Sequence, residues 1–563
     1  MPRTDRTVFG VTVALTLAFV VWGAVSTKSL SSVSETMLSG TMKNGGWAFV
    51  LAATGFVVFS LWLAFSRYGK ITLGKEGEEP EFKTVSWVAM MFSAGMGIGL
   101  MFYGVAEPVN HFSSTPPGSH PVNDPEKMET AMATTLFHWT LHPWAIYAVV
   151  GLAIAYSCFR RGRRQTISAV FTPLIGEKAA NGGPGKVIDI LAIFATLFGS
   201  AASLGLGALQ ISAGVKEVGW AGEVSEPVLI LIIAVLTAAF VLSAVSGVEK
   251  GIQWLSNINM VLAGLLVLFV FVVGPTILML NLLPTSLGSY IGEFAQLISR
   301  TDSSGGPKTA EWLASYTVFY WAWWISWTPF VGMFIARISR GRTIRQFVGG
   351  VILVPSVVSL IWFAIFGGTA IHVEETTHKV TQAANDDAML FAVLREYPMA
   401  SVTMLIVMIL VAIFFVSGAD AASIVMGTLS QKGTLEPSRF VVIVWGVLTG
   451  AVAAIMLLIG GGGSEALDGL KNLTILVAVP FTLVMVGLCV ALTKDLRSDR
   501  LIVIGERGTE AIESAVVAGH EQYGGDFEIQ IGPGGNGTDE DEDDEEPNSA
   551  SHDTTVTATR KDT

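Results

Sequence analysis

Repeated long apolar runs constrain this chain more than any other feature of its sequence. Runs of about 18 or more mostly apolar residues recur from Phe9 to Val490, and each is long enough to cross a bilayer as a helix. Only 14% of the residues are charged, whereas a soluble globular domain has about 25%. We therefore predict an all-α polytopic membrane protein with twelve spans, near residues 8–26, 45–66, 85–105, 131–158, 187–213, 227–246, 254–281, 309–337, 346–368, 399–427, 439–460 and 469–493.

The charges between these spans predict their orientation. Alternate connections are basic, and the connections between them are acidic or mixed, as in residues 107–129 and 374–387. Basic loops mark the cytoplasmic side, so both termini are predicted to be cytoplasmic in a cell-membrane protein. The basic residues are Arg67, Lys70, Lys75 and Lys83; Arg160, Arg161, Arg163, Arg164, Lys178 and Lys186; and Arg337, Arg340, Arg342 and Arg345.

Two segments outside the spans have their own composition. Residues 284–308 begin with an amphipathic stretch that is too short to span, and we predict an interfacial connecting helix. Residues 497–563 are rich in Gly, Asp, Glu, Ser and Thr, and are predicted to form an acidic, largely disordered cytoplasmic tail. Eight acidic residues between Thr538 and Glu546 explain most of the net charge of −12, and no basic patch indicates a nucleic-acid partner.

Three alternate glycines lie in the middle of the third span, at Gly95, Gly97 and Gly99. Glycine there can simply allow close packing of helices. It also lowers the free-energy cost of unwinding a helix, and discontinuous helices form the central binding sites of many transporters. We predict that the third span is interrupted at this motif.

The fourth and eighth spans carry dense aromatic clusters. Four tryptophans, at positions 321, 323, 324 and 327, fall within seven residues in the interior of the eighth span. The alternative is a belt at the membrane surface, which rarely needs four tryptophans so close together. Indole faces attract quaternary ammonium groups, so the cluster predicts a site for choline-like cations or betaines.

Hydroxyl groups in other spans are candidate cation ligands. Thr196 and Ser200 are one helical turn apart in span 5, and Ser417 precedes Asp420 in span 10. Membrane Ser and Thr often bond to their own helix, yet hydroxyl and carbonyl oxygens also suit a small hard cation. Asp420 is either a functional carboxylate or a structural hydrogen-bond acceptor. His138 and His142 are expected to be packed and hydrogen-bonded.

At these residues the sequence resembles the betaine/choline/carnitine transporter family, most of all its sodium-coupled glycine betaine importers. The resemblance runs from about residue 22 to 496, and residues 90–107, 135–156, 191–210 and 316–344 are its most specific stretches. It implies two LeuT-like inverted repeats of five spans, at 85–283 and 309–496, preceded by two peripheral spans within residues 1–84. It also implies a homotrimer in membrane lipid.

The same resemblance assigns site residues. It places an aromatic substrate box on Trp139, Trp144, Tyr147, Trp323, Trp324 and Trp327, with the backbone of Gly95, Met96, Gly97 and Gly99 available to the substrate carboxylate. One sodium site resembles Ser93, Met96, Phe414, Ser417 and Gly418, and a second resembles Thr196, Ser200, Tyr147 and Phe330. Relatives usually have a Thr-Ser pair where this chain has Ser417-Gly418, so one hydroxyl ligand is missing.

The resulting hypothesis is a secondary active transporter that imports glycine betaine by sodium symport and protects cells against osmotic stress. Carriers of ectoine, proline or choline with the same architecture remain alternatives, as does a membrane sensor that binds such ligands without transporting them. No nucleophile–base–acid set, HExxH motif or phosphate loop appears in the sequence, so an enzyme is not expected.

Overall fold

The computed structural model describes residues 4–95, 97–222, 225–246, 249–460, 466–533 and 554–560. The chain forms two compact units, residues 1–492 and 493–563. The acidic run at 538–546 lies outside the described residues.

The first unit is built from helices. In chain order they are α1 (Arg6–Val25), α2 (Thr27–Phe65), α3 (Thr84–Gly95), α4 (Ile98–Ser113), α5 (Asp124–Trp139), α6 (Leu141–Ala155), α7 (Ile167–Val170), α8 (Thr172–Ala180), α9 (Gly183–Glu217), α10 (Glu226–Ser246), α11 (Glu249–Val273), α12 (Thr276–Ser299), α13 (Pro307–Ser315), α14 (Thr317–Ile338), α15 (Ile344–Thr377), α16 (Asp386–Arg395), α17 (Ala400–Ser430), α18 (Arg439–Ile459) and α19 (Ala466–Arg497). Short 3-10 helices cover Arg67–Lys70 and Asp302–Ser304, and a π-helical turn covers Tyr156–Arg160.

The polytopic all-α fold is confirmed. Among the described residues, nine helices are long and apolar enough to cross a membrane, or ten when one bent pair counts as a single span. Each of the twelve predicted spans coincides with a helix or with a broken helix. Two of the predicted spans, the interrupted α3–α4 and α14, are not among these ten helices. In α14 four tryptophans and a tyrosine, each with a polar N–H or O–H group, replace aliphatic residues.

Three of the predicted spans are broken near their middle or entry. Gly97 adopts an extended backbone between α3 and α4, which confirms the predicted interruption at the glycine motif. Thr140 separates α5 from α6, and Tyr316 separates α13 from α14, both in non-helical conformations. The Thr140 N–H still donates to the Leu136 carbonyl, and the Tyr316 N–H to the Trp312 carbonyl. The groups without a partner inside a helix are the first N–H groups that follow each break.

The end of the seventh span was predicted wrongly. The expected span reached residue 281 and the connecting helix began at 284, but the helix breaks at Gly274–Pro275. There the chain turns by 107° from residues 257–273 of α11 into α12. Proline has no N–H to donate into a preceding turn and disfavours helix in the residue before it, which explains why the break occurs at this dipeptide.

The core of the first unit lies where α14 packs against α6 and α9, and where α9 packs against α17 and α18. Close approach of α6 and α14 depends on glycine: a Cβ at Gly332 would lie 3.0 Å from the backbone nitrogen of Gly151. Small residues at such a crossing let two membrane helices meet backbone to backbone. This crossing positions the aromatic residues of both helices.

The second unit contains a helix, α20 (Arg500–Tyr523), and an antiparallel pair of strands, β1 (Phe527–Pro533) and β2 (Thr554–Arg560). Phe527 pairs with Arg560 and Pro533 with Thr554. The composition predicts a largely disordered segment from residue 497 onward, whereas the structure has α20, β1 and β2 within it. Helix α20 has no proline, and the Asp499 side chain caps its first turn by accepting from the Leu501 N–H.

Candidate functional site

A cavity of about 40 Å³ is lined by all six aromatic residues of the predicted box. Three of them lie on the α5–α6 segment and three on α14. The remaining lining residues are Gly97, Gly99, Leu100, Pro143 and Ser359. The sequence therefore identified the aromatic lining and two of its four predicted backbone contributors. Of the others, Gly95 is the last residue of α3 and Met96 lies outside the described residues.

The rings form walls in more than one plane. Trp323 and Trp324 are stacked, with centroids 4.7 Å apart and planes 14° from parallel. The planes of Trp139 and Trp324 cross at 74° with centroids 5.0 Å apart, and those of Tyr147 and Trp324 cross at 77° with centroids 6.2 Å apart. Trp144 is in turn edge-on to Tyr147. Rings in crossed planes can surround a small cationic group on several sides, which a flat stack cannot do.

Each of four box tryptophans donates its indole N–H to a protein acceptor. The acceptors are Glu107 Oε2 for Trp139, Ser203 Oγ for Trp323, the His138 carbonyl for Trp324 and the Gly199 carbonyl for Trp327, at 2.6 to 3.1 Å. A buried indole needs such a partner, and the hydrogen bond also fixes the orientation of the ring. Because protein groups accept these N–H hydrogens, the tryptophans offer a ligand in the cavity aromatic surface and not hydrogen-bond donors.

The start of α4 borders this cavity. Gly97 is the residue before the helix, and the first N–H groups of a helix have no partner within it. A Cβ at Gly99 would lie 2.8 Å from Trp323 Cη2 and 2.9 Å from Trp139 Cη2. The rings thus contact the backbone at Gly99 where any side chain would stand. This arrangement offers N–H donors and a favourable helix dipole to an anionic group beside the aromatic walls.

A second cavity, of about 290 Å³, adjoins the first. Gly97 and Trp327 line both cavities, so they lie at the junction. The other lining residues are contributed by α4, α9, α11, α14 and α17: Ile98, Ser200, Ser203, Leu204, Asn259, Met260, Phe330, Val331, Phe334, Phe414, Ser417, Gly418, Asp420, Ala421 and Ile424.

The predicted sodium residues are only partly brought together. Ser200, Phe330, Phe414, Ser417 and Gly418 line the second cavity, whereas Tyr147 lines the aromatic cavity. Thr196 is fully buried and its hydroxyl donates to the Ala192 carbonyl within α9. The structure describes no side chain at Ser93, and Met96 lies outside the described residues.

Hydroxyl and carboxylate groups give the second cavity its polar character. The Ser417 hydroxyl donates to the Ile413 carbonyl, which leaves the lone pairs of its oxygen as acceptors. Asp420 contributes a carboxylate to the same wall. The arrangement offers hard oxygen ligands of the kind that a small cation prefers.

Both histidines of span 4 are packed and hydrogen-bonded, as expected. His138 contacts Glu107 and Thr317 through its two ring nitrogens, and His142 stacks on Trp321 at 4.8 Å and lies 3.4 Å from Thr54 Oγ1.

The sequence prediction misses Glu107, because it ends the third span at residue 105 and places Glu107 in the acidic connection at 107–129. In the structure α4 continues to Ser113, and Glu107 is fully buried. The signal was present: Glu107 follows nine apolar or aromatic residues without a charge, and an ionisable residue at membrane depth is a functional candidate.

Comparison with known proteins identifies the family. The family model BCCT, betaine/carnitine/choline family transporter, matches residues 7–501. The chain belongs to the BCCT family. It is therefore a multi-pass membrane transporter and not an enzyme, and the resemblance of its motifs to this family is confirmed.

Individual BCCT relatives align over most of the chain. The betaine/ectoine transporter LcoP of Corynebacterium glutamicum is 48% identical over 94% of this chain and 84% of its own length. The glycine betaine transporter OpuD of Bacillus subtilis is 45% identical over 89% and 96%. A solved structure of a Na⁺-coupled sialic acid symporter covers 81% of this chain and 86% of its own, with 15% identity and a TM-score of 0.42, which is too low to equate the two folds.

Proposed function

We propose that this BCCT transporter imports glycine betaine or a closely related zwitterion by sodium symport. The observation that supports the proposal best is the aromatic cavity, which six aromatic side chains line while four of their indole N–H groups are bound by protein acceptors. A quaternary ammonium group cannot donate a hydrogen bond. It gains from ring faces about 2 kcal/mol or more when both are desolvated.

The start of α4 favours a zwitterion over a simple cation. A substrate carboxylate would meet the N–H groups at Ile98 to Leu100, which have no partner within α4, and the positive end of the helix dipole. Choline has no carboxylate and would leave these donors unused. Because Gly99 has no side chain, the start of α4 and the aromatic rings lie close enough for one small molecule to contact both.

The second cavity is the proposed location of the coupling ion. Ser200 and Ser417 supply hydroxyl oxygens, and backbone carbonyls near Phe414 are a further source of ligands. Phe334 lines this cavity three residues before Arg337, which lies in the last turn of α14 and is one of the basic residues that mark the predicted cytoplasmic side. On that orientation, ion and substrate leave toward the cytoplasm through the second cavity.

Ectoine is the second candidate substrate, and a specific observation favours it: the relative at 48% identity is named as a betaine and ectoine transporter. Ectoine is also a zwitterion, with a planar delocalised cation that can stack on indole. Choline lacks a carboxylate, and proline, although a zwitterion, lacks a quaternary or delocalised cation, so both are less favoured. Import of such solutes would serve protection against osmotic stress.

Transport by purified protein in liposomes tests the proposal. Labelled betaine, ectoine, proline and choline would be offered in turn, under a sodium gradient and under a potassium gradient with an imposed proton gradient. We expect betaine or ectoine accumulation only with sodium. Equal accumulation without sodium would contradict sodium coupling and would favour Asp420 as a site for protons. Absence of counterflow with measurable ligand binding would identify a sensor instead.

Assembly and topology are part of the proposal. We infer a homotrimer in the cell membrane with both termini in the cytoplasm, on the basis of the family and of the basic loops. Cysteine labelling from each side of the membrane tests the topology, and light scattering in detergent tests the trimer.

A further inference from the structure

Glu107 holds a buried carboxylate directly behind the aromatic cavity. Its side chain is fully buried, and three donors lie 2.6 Å from its oxygens: Trp139 Nε1 and Tyr320 Oη at Oε2, and His138 Nδ1 at Oε1. His111 Nε2 lies 3.3 Å from Oε1. A buried carboxylate is very costly unless it is hydrogen-bonded, so this dense set of donors is what allows Glu107 to remain at this depth.

The donors around Glu107 include or support walls of the substrate box. Trp139 is itself a wall. The carbonyl of His138 accepts the indole N–H of Trp324, and the Tyr320 ring stacks on Trp324 at 6.0 Å and 19°. The same carboxylate therefore holds one wall directly and a second wall through two neighbours.

Glu107 also lies on the helix that borders the other end of the cavity. It is nine residues along α4 from Ile98, or about 14 Å at 1.5 Å per residue. The start of α4 is the proposed site of the substrate carboxylate, and its later turns hold the rings proposed to bind the ammonium group. The helix α4 thus sets the distance between the proposed carboxylate site at its start and the rings that Glu107 holds.

We propose that Glu107 is a positioning residue for substrate binding, which fixes Trp139 and Trp324 relative to the start of α4. This inference rests on the proposed function of the aromatic cavity. It predicts that the carboxylate acts through the rings and not by touching the substrate.

A metal centre is the main competing explanation. Ligand atoms of Glu107, His111 and His138 all lie within 4.8 Å of one another. However, both Glu107 oxygens and both His138 ring nitrogens are already engaged by protein partners. A metal ion would have to displace these hydrogen bonds, and with them the orientation of Trp139. The positioning role explains the observed contacts without this rearrangement.

A double-mutant cycle tests the proposal. We expect Glu107→Gln to raise the half-saturation constant for betaine about ten-fold or more, with a smaller change in maximal rate. Trp139→Phe removes the indole donor to Glu107. The half-saturation constant of the double variant should exceed that of the more impaired single variant by about two-fold at most. Trp327→Phe is the matched control, because the N–H that it removes donates to the Gly199 carbonyl and not to Glu107. Its effect on the half-saturation constant should multiply with the effect of Glu107→Gln.

Binding is measured in parallel by the change in tryptophan fluorescence when betaine is added to purified protein in sodium. A Glu107→Gln variant with wild-type half-saturation, or one whose effect multiplies with that of Trp139→Phe, would overturn the inference. So would a change in wild-type affinity on adding Zn²⁺ or EDTA, since that outcome requires a metal. If Glu107→Gln does not fold, Tyr320→Phe keeps the carboxylate, removes one donor and takes its place in the cycle.

The experiments distinguish an error in the proposed substrate from an error in the proposed role of Glu107. If the wild-type protein responds to another solute of the panel and not to betaine, the substrate proposal fails. The same cycle run with that solute still decides the role of Glu107.

Discussion

Gly99→Ala is the substitution that most directly probes the geometry of the cavity. The added Cβ would lie 2.8 Å from Trp323 and 2.9 Å from Trp139, whereas ordinary contacts begin near 3.4 Å. Both rings are tethered through their N–H groups, to Ser203 and Glu107. The rings therefore cannot move away by the required half ångström without weakening a buried hydrogen bond.

The expected size of the effect follows from this overlap. Overpacking by one methyl group in a tight site costs about 1–3 kcal/mol. If that strain is expressed in binding, the half-saturation constant for betaine rises roughly 5- to 150-fold. If instead the rings shift in the empty protein, the walls no longer match the ammonium group, and the half-saturation constant rises for that reason.

Uptake into liposomes as a function of betaine concentration measures the effect. Gly264→Ala is the matched control: it adds the same methyl group to a membrane helix, α11, where no atom lies within 4 Å of the new Cβ. It should leave the half-saturation constant unchanged. A Gly99→Ala protein that folds and keeps wild-type half-saturation would refute the reasoning, because substrate would then bind somewhere other than between these rings.

Three further predictions concern the walls, the ion and the second unit. Trp324→Leu should raise half-saturation for betaine about ten-fold through loss of roughly 1–2 kcal/mol of cation–π attraction; uptake kinetics of a well-expressed variant check this. Gly418→Ser should lower the half-saturating sodium concentration roughly two- to five-fold, since a Cβ there meets no atom within 4 Å and its hydroxyl adds a ligand; sodium titration of uptake decides. Deleting residues 534–563 should leave basal uptake intact, because that segment is outside the compact transport unit; lost uptake at normal expression would contradict this.

The fold was predictable from sequence where one strong physical term dominates. Apolar runs located the helices, because a backbone in lipid must satisfy its hydrogen bonds internally. The break at Gly97 was also foreseen, since alternate glycines weaken a helix. The bend at Gly274–Pro275 was missed because apolar residues continue on both sides of it, and hydropathy alone cannot distinguish a straight helix from a bent one. The helix α20 was missed because composition over the whole tail hid one proline-free segment.

The aromatic cavity was predictable because its residues cluster in sequence as well as in space. Trp323, Trp324 and Trp327 are neighbours on one helix, and their type already restricts the ligand. The network behind them was not predictable, because it joins Glu107 to residues 31, 32 and 213 positions away. No local pattern reports such contacts, and only the packing of α4 against α5 and of α6 against α14 brings them together.

The position of Gly97 and Trp327 gives a physical reason to expect coupling between ion and substrate. Both residues line the aromatic cavity and the larger polar cavity, so a ligand in either one contacts the same backbone and the same ring. Gly97 is also where α4 begins, and the Trp327 N–H donates to the carbonyl of Gly199, one residue before Ser200. An ion held at Ser200 would therefore lie beside the groups that orient the Trp327 ring and the start of α4. Such coupling is reciprocal: if the ion strengthens substrate binding by some factor, the substrate strengthens ion binding by the same factor.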